Sequence, residues 1–134
     1  MNRVKLDIDL PKHLADKNCI EVDVQFYCFF DEEDKFYYSY IPAFDVLGAA
    51  KTEKESIKSM KIMLQEMFVS TINKGVLEDE LRQLGWELEY NKEIKATPPE
   101  TSDLINHLEN FKDYINSGFS FKRKNVEVDI PLPC

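Results

Sequence analysis

Apolar and polar side chains alternate strictly at two places near the start of the chain, and such period-two alternation is typical of a β-strand with one buried face. The even positions of Val4–Leu10 are apolar, and Pro11 ends that run. The even positions of Ile20–Phe30 are also apolar, with Tyr27 and Phe29 adding apolar side chains to the opposite face. The pattern therefore predicts two strands, the second of them buried in part on both faces.

A short acidic segment separates the second strand from another apolar run. Asp31-Glu32-Glu33-Asp34-Lys35 is followed by the aromatic stretch Phe36–Ile41, and Pro42 ends it. Aromatic residues favour strands, and a short polar connection favours antiparallel pairing. We therefore expect a β-hairpin with the acidic segment as its turn.

The period changes to that of a helix after residue 52. Thr52-Glu53-Lys54-Glu55 has the form of a capping box, in which the threonine hydroxyl accepts an amide proton of the first turn. Apolar positions then recur every three or four residues, which predicts an amphipathic helix ending near Asn73-Lys74-Gly75. The predicted buried stripe is Ile57, Met60, Leu64, Met67, Phe68 and Thr71.

Four further elements are predicted downstream from the same kinds of pattern. They are a short helix over Val76–Leu84 closed by Gly85, a strand over Trp86–Tyr90, a helix from Thr101 to Asn116 stopped by Gly118, and a strand over Val126–Ile130 ended by Pro131. The last strand resembles the first in its alternation, and we expect both to be edge strands.

The sum of these elements predicts one α+β domain over residues 1–134. We expect an antiparallel or mixed β-sheet with the long amphipathic helix, about residues 52–73, packed on one face, and a further C-terminal helix and strand. A chain of 134 residues, 43% of them hydrophobic, buries enough apolar area to fold without a disulfide or metal.

Charge and cysteine usage indicate which partners and which cellular compartment to expect. The net charge of −8 disfavours generic binding to nucleic acid or anionic lipid and favours basic partners. Three cysteines without C-x-x-C spacing predict neither a disulfide framework nor a zinc site. The charged N-terminal segment does not have the form of a signal peptide, and no run of about 20 apolar residues predicts a membrane span, so we expect a cytoplasmic protein.

One stretch of the chain resembles the HicB-like antitoxin family. The residues that carry the resemblance are Tyr38-Ser39-Tyr40-Ile41-Pro42, a short loop holding Gly48, and Thr52-Glu53-Lys54-Glu55-Ser56 opening the helix. With the segment from Gly75 to Trp86, the resemblance covers about residues 20–90. It departs from the family at Ala50, Lys51 and Ser56, where glycine, an acid and alanine are usual.

The resemblance implies both a fold and a function. HicB-like domains have a truncated RNase H-like fold without catalytic activity, and they neutralise a small basic RNA-cleaving HicA toxin by covering its active site. Many members add a DNA-binding domain at the C-terminus, for which this sequence has no matching segment. The resemblance thus implies a toxin-binding, non-enzymatic protein with no cofactor, and we expect it to form homo-oligomers through its edge strands.

The candidate partner-binding residues follow from the acidic hairpin, whose charges suit a basic partner and whose aromatic side chains exceed what one core face needs. They are Asp31, Glu32, Glu33, Asp34, Tyr37, Tyr38 and Tyr40. The acidic run lacks the alternating ligands and the glycine of a calcium loop, so we expect no metal there.

Two other functions remain open on the sequence. Glu21 and Asp23 share a strand face as RNase H-like metal ligands do, although no second pair of carboxylates is placed beside them by the sequence, and an enzyme with an unrecognised pocket is one alternative. A DNA-binding regulator that uses Val4–Lys17 as a ribbon and helix start is the other. We interpret Cys28 as a core residue and Lys122-Arg123-Lys124 as a solvated basic cluster before the last strand.

Overall fold

A computed structural model gives the structure of residues 3–6, 20–90, 94–100 and 121–132. Within these residues the chain forms seven strands and two helices. The strands are β1 (Arg3–Leu6), β2 (Ile20–Asp31), β3 (Phe36–Ile41), β4 (Val46–Ala50), β5 (Glu87–Tyr90), β6 (Ile94–Thr97) and β7 (Phe121–Ile130). The helices are α1 (Glu53–Lys74) and α2 (Leu77–Gln83).

The main sheet has the strand order β1-β7-β2-β3-β4. The successive pairs β7–β2, β2–β3 and β3–β4 are antiparallel, and β1 pairs with β7 in parallel. Strands β5 and β6 form a separate two-stranded antiparallel sheet. The molecule is therefore α+β with a mixed main sheet, as the sequence predicts.

One face of the main sheet carries the helix α1, and the core lies between them. The even positions Val22, Val24 and Phe26 of β2 are buried there, and so are Val126 and Val128 directly opposite or beside them on β7. From α1, the buried residues are Ser56, Met60, Leu64, Phe68 and Thr71.

Both ends of α1 have the caps that its sequence predicts. Thr52 has extended backbone angles, and its side chain accepts a hydrogen bond of 3.1 Å from the amide of Glu55. At the other end Gly75 has φ 71°, and its amide donates to the carbonyl of Ile72 at 3.0 Å. These caps set the residues at which α1 begins and ends.

The segment after α1 returns to the same core. Trp86 is buried, stacks on Phe44 with ring centroids 5.1 Å apart, and donates from Nε1 to the carbonyl of Ala43 at 2.7 Å. Phe44 in turn meets Phe68 of α1 edge to face at 5.5 Å. These contacts hold α2 and β5 against the turn between β3 and β4.

Several predictions need correction. Residues 46–50, expected to be a loop, form β4, and β6 was not predicted at all. The last strand begins at Phe121, so the basic cluster 122–124 lies inside it and not before it. It is also not an edge strand, because β1 and β2 pair with it on its two sides.

Some predicted elements fall outside the described residues. These are the helix from Thr101 to Asn116 and, beyond Leu6, the remainder of the first strand together with the ribbon reading of Val4–Lys17. Within the described part of the chain, no helix combines the length and the apolar character needed to cross a membrane.

Candidate functional site

The hairpin tip, residues 31–35, connects β2 to β3 and projects its acidic side chains into solvent. Glu32, Glu33 and Asp34 are exposed, and Asp31 is half-buried. Lys35 takes the left-handed conformation with φ 62°, and its amide donates to the carbonyl of Asp31 at 2.8 Å, which closes the turn. Four carboxylates are thus presented within one five-residue loop.

Two of these carboxylates also shape the turn. Asp31 Oδ1 accepts from the amide of Glu33, and Asp34 Oδ1 accepts from the amide of Phe36, each at 2.9 Å. Aspartate side chains that bond to the backbone two residues on are common in tight turns. The hairpin tip is therefore held in one conformation, with Glu32 and Glu33 outward. Glu32 lies 3.6 Å from Lys35 in an exposed ion pair, which contributes little to stability.

The tyrosines of β3 take different positions. Tyr38 stacks on Phe29, which pairs with it across the strands, at 5.3 Å between ring centroids, and its hydroxyl donates to Asp34. Tyr37 lies on the other sheet face, tilted against Phe30 at 4.7 Å. Both side chains are half-buried and keep part of the ring exposed.

Tyr40 is not part of the exposed surface that Tyr37, Tyr38 and the hairpin tip form. It is 3% exposed, and its hydroxyl donates to Asp45 at the next turn. Because a partner has no access to the buried ring, the structure groups Tyr37 and Tyr38 with the hairpin tip and separates Tyr40 from it. The excess of aromatic residues, which suggested surface anchors, is explained at Tyr40 by burial.

A chain of buried polar side chains ties the hairpin to α1. Cys28 Sγ lies 3.3 Å from Ser39 Oγ, Ser39 Oγ lies 2.7 Å from Ser56 Oγ, and Ser56 donates to the carbonyl of Glu53 at 2.6 Å. Since each hydroxyl has one proton, Ser39 donates to Ser56, and the Cys28 thiol donates to Ser39. The chain joins the middle of the sheet to the first turn of the helix.

Beside this chain an open groove of about 370 Å³ lies between the start of α1, the hairpin and β7. Lys122 of β7 reaches Glu53 across it at 3.5 Å, and Lys51 lies 4.4 Å from the ring centroid of Phe36. Sequence reasoning did not find this groove, because its sides come from segments far apart in the chain. The groove is lined by Cys28, Phe29, Phe30, Tyr37, Lys51, Thr52, Glu53 and Lys122.

The environment of Cys28 disfavours its thiolate form. Burial raises the pKa of the thiol above its ordinary value, and only the thiolate is strongly nucleophilic. The residue is 3% exposed at the base of the groove. Its predicted role as a core residue is therefore confirmed.

The far end of β2 carries a second group of carboxylates that the sequence did not place. Glu21 pairs directly with Asp129, and Asp23 pairs with Glu127, on the sheet face opposite α1. The sequence alone did not place any carboxylates beside Glu21 and Asp23; the antiparallel register of β2 and β7 does so, because it sets Asp129 and Glu127 opposite them. Among the residues that the structure describes, no group of His, Cys, Asp and Glu side chains is placed to hold a metal ion.

Comparisons of the chain with protein-family models, with curated proteins and with solved structures found no match. The function of the chain is therefore inferred from its sequence motif and from the chemistry of the hairpin tip and its surroundings.

Proposed function

We propose that the protein is a HicB-like antitoxin, or a protein-binding module derived from one, that neutralises a small basic RNA-cleaving toxin by covering its active site. The motif from Tyr38 to Ser56 supports the proposal, as does the acidic balance of the chain. The observation that carries it is the exposed hairpin tip, which presents carboxylates in a fixed loop. A toxin that cuts RNA acts in the cytoplasm, the location that we propose.

The proposed mechanism is electrostatic attraction followed by steric occlusion. An RNA-cleaving toxin needs cationic side chains around its active site to hold phosphates, and the same cations attract a carboxylate cluster. The backbone hydrogen bonds of Asp31 and Asp34 hold the loop in place before binding, which lowers the entropy lost on association. The half-buried rings of Tyr37 and Tyr38 lie beside the charges and suit the role of anchors.

The proposal divides the candidate residues into two groups. Glu32, Glu33 and Asp34 contact the partner directly, while Asp31 contributes mainly to the shape of the loop. Tyr40 acts through the packing of β3 and not by contact, because its ring is buried. The protein works without catalysis, cofactor or metal in this proposal.

The proposal is tested by tagging the protein in its native cell and purifying it with whatever binds it stoichiometrically. We expect a small basic protein that cleaves RNA once separated and is inhibited when the purified chain is added back. The variant Glu32→Lys with Glu33→Lys should weaken that binding about tenfold or more at low salt, because two attractive charges become repulsive.

The matched control is Glu87→Lys with Glu89→Lys, which makes the same charge change at two exposed positions of β5. We expect this control to bind within about twofold of the unmodified chain, since it alters only the long-range field. Absence of a stoichiometric basic partner, or equal binding by the two variants, contradicts the proposal.

A further inference from the structure

The outward face of α1 carries an exposed apolar pair at its centre. Ile62 is 45% exposed and Met63 is 46% exposed, and they are adjacent on a helix whose other face is fully packed on the sheet. Tyr90 at 41% is the third large apolar side chain exposed among the described residues, and it lies on a different element, β5. Two such residues side by side on one helix mark a contact surface more strongly than isolated ones.

Opposite charges flank Ile62 symmetrically. Lys58 lies four positions before Ile62, Glu66 lies four positions after it, and both are exposed. At 3.6 residues per turn and 1.5 Å per residue, each charge is about 6 Å along the axis and about 40° around it from Ile62, in opposite directions. A helix face with this arrangement is complementary to itself when one copy is rotated by 180°.

We propose that two copies of this chain associate through antiparallel packing of α1, with a two-fold axis passing at Ile62. That axis sets Lys58 against Glu66 of the partner subunit, and the symmetry repeats the pair on the other side. Ile62 meets Ile62 of the partner subunit at the centre, with Met63 beside it. A parallel arrangement would set like charges together, so the charges select the antiparallel one.

The proposed contact between two copies of α1 is small, and this limits the affinity of the dimer. A pair of helices alone buries less than the ~800 Å² per partner of a standard interface, so we expect a dissociation constant of about 10–100 μM. The inference is independent of the proposed antitoxin function, because the hairpin tip contributes nothing to this contact.

Cross-linking tests the position of the axis. In a chain with Cys19 and Cys134 replaced by serine, Ile62→Cys should form a disulfide-linked dimer under mild oxidation, because the axis brings the two residues 62 together. Lys54→Cys is the matched control, since it is exposed on the same helix but lies about 12 Å along it from Ile62. This control should not cross-link above background.

Charge exchange tests the pairing. Lys58→Glu alone and Glu66→Lys alone should each weaken the dimer about tenfold in sedimentation velocity, because each creates two like-charge contacts. The double variant should return to within about threefold of the original affinity, since the two signs are exchanged but still complementary. A chain that stays monomeric at about 1 mM, equal cross-linking at positions 62 and 54, or a double variant as weak as the single ones would overturn the inference.

Discussion

The polar chain from Cys28 to Glu53 shows how single residues join the two layers of this fold. Burying a hydroxyl or a thiol costs free energy unless its donor and acceptor groups are satisfied. Here each group donates a hydrogen bond to the next one in the chain. The hydroxyl of Ser56 on α1 is matched by the hydroxyl of Ser39 on the facing strand β3. Ser39 and Ser56 therefore form a buried hydrogen bond between β3 and α1.

A pH prediction follows from Cys28. Burial raises the pKa of its thiol in the folded protein, so the folded state keeps the proton to a higher pH than the unfolded chain does. The stabilisation is fully present below the ordinary thiol pKa and is lost as pH rises through it towards the folded value. In a chain with Cys19 and Cys134 replaced by serine, the free energy of unfolding should fall more between pH 7 and pH 10 than in the same chain with Cys28→Ser, which has no ionisable thiol.

Urea denaturation at the two pH values measures this difference, and the comparison cancels the lysine and tyrosine titrations that both proteins share. An equal fall in both proteins would show that the thiol is as free to ionise in the fold as in the unfolded chain.

At the scale of elements, the packing of α1 on β4 depends on the absence of a side chain. A Cβ added to Gly48 would lie 2.2 Å from the backbone nitrogen of Met60 and 2.5 Å from the carbonyl oxygen of Ser56. These are helix backbone atoms with no rotamer to change. We expect Gly48→Ala to lower the free energy of unfolding by about 3 kcal/mol, at the upper end of overpacking effects.

Gly75→Ala provides the comparison. Gly75 has φ 71° and open space around it, so an added methyl group contacts nothing. The substitution costs only the free energy of holding alanine in the left-handed backbone conformation, about 1 kcal/mol. Chemical denaturation of both variants should therefore rank Gly48→Ala as the more damaging. The reverse order would mean that α1 moves away from β4 at little cost.

The packing of β4 against α1 also shows why the sequence predicts some elements and not others. Strand β2, strand β3 and helix α1 have regular periods and clear caps, so their pattern alone locates them. Strand β4 is Val46-Leu47-Gly48-Ala49-Ala50, whose glycine and alanines have low strand propensity. It is a strand because it pairs with β3 and lies beneath α1, and both are tertiary facts.

The candidate site likewise has a part that the local sequence predicts and a part that depends on tertiary packing. The acidic hairpin tip is local in sequence and was predicted residue by residue, whereas the burial of Tyr40 depends on the packing around β3. The groove beside Glu53 and the facing of Asp23 with Glu127 join residues distant in the chain. A single sequence does not specify the strand order that brings them together.

At the scale of the whole molecule, Trp86 links the second half of the described chain to the first. Its indole donates to Ala43, and its ring stacks on Phe44, which contacts α1 through Phe68. As the sole tryptophan it reports on this junction by fluorescence, while circular dichroism at 222 nm reports on helices, of which α1 is the longest in the described part of the chain. If the sheet, α1 and the segment after it share one core, the two signals should change together during unfolding.

We therefore expect the denaturation midpoints by fluorescence and by circular dichroism to coincide in urea. Trp86→Phe should lower the free energy of unfolding by about 1–2 kcal/mol, because the buried carbonyl of Ala43 loses its donor while the aromatic stacking is largely kept. The control is Tyr90→Phe, which removes a hydroxyl that bonds to Glu78 from a ring that is 41% exposed; because exposed polar pairs contribute little, stability should change by less than about 1 kcal/mol. A fluorescence transition at clearly lower urea than the helical one would mean that α2 and β5 detach before the sheet unfolds, and the hairpin and its helix would then form a separate cooperative unit.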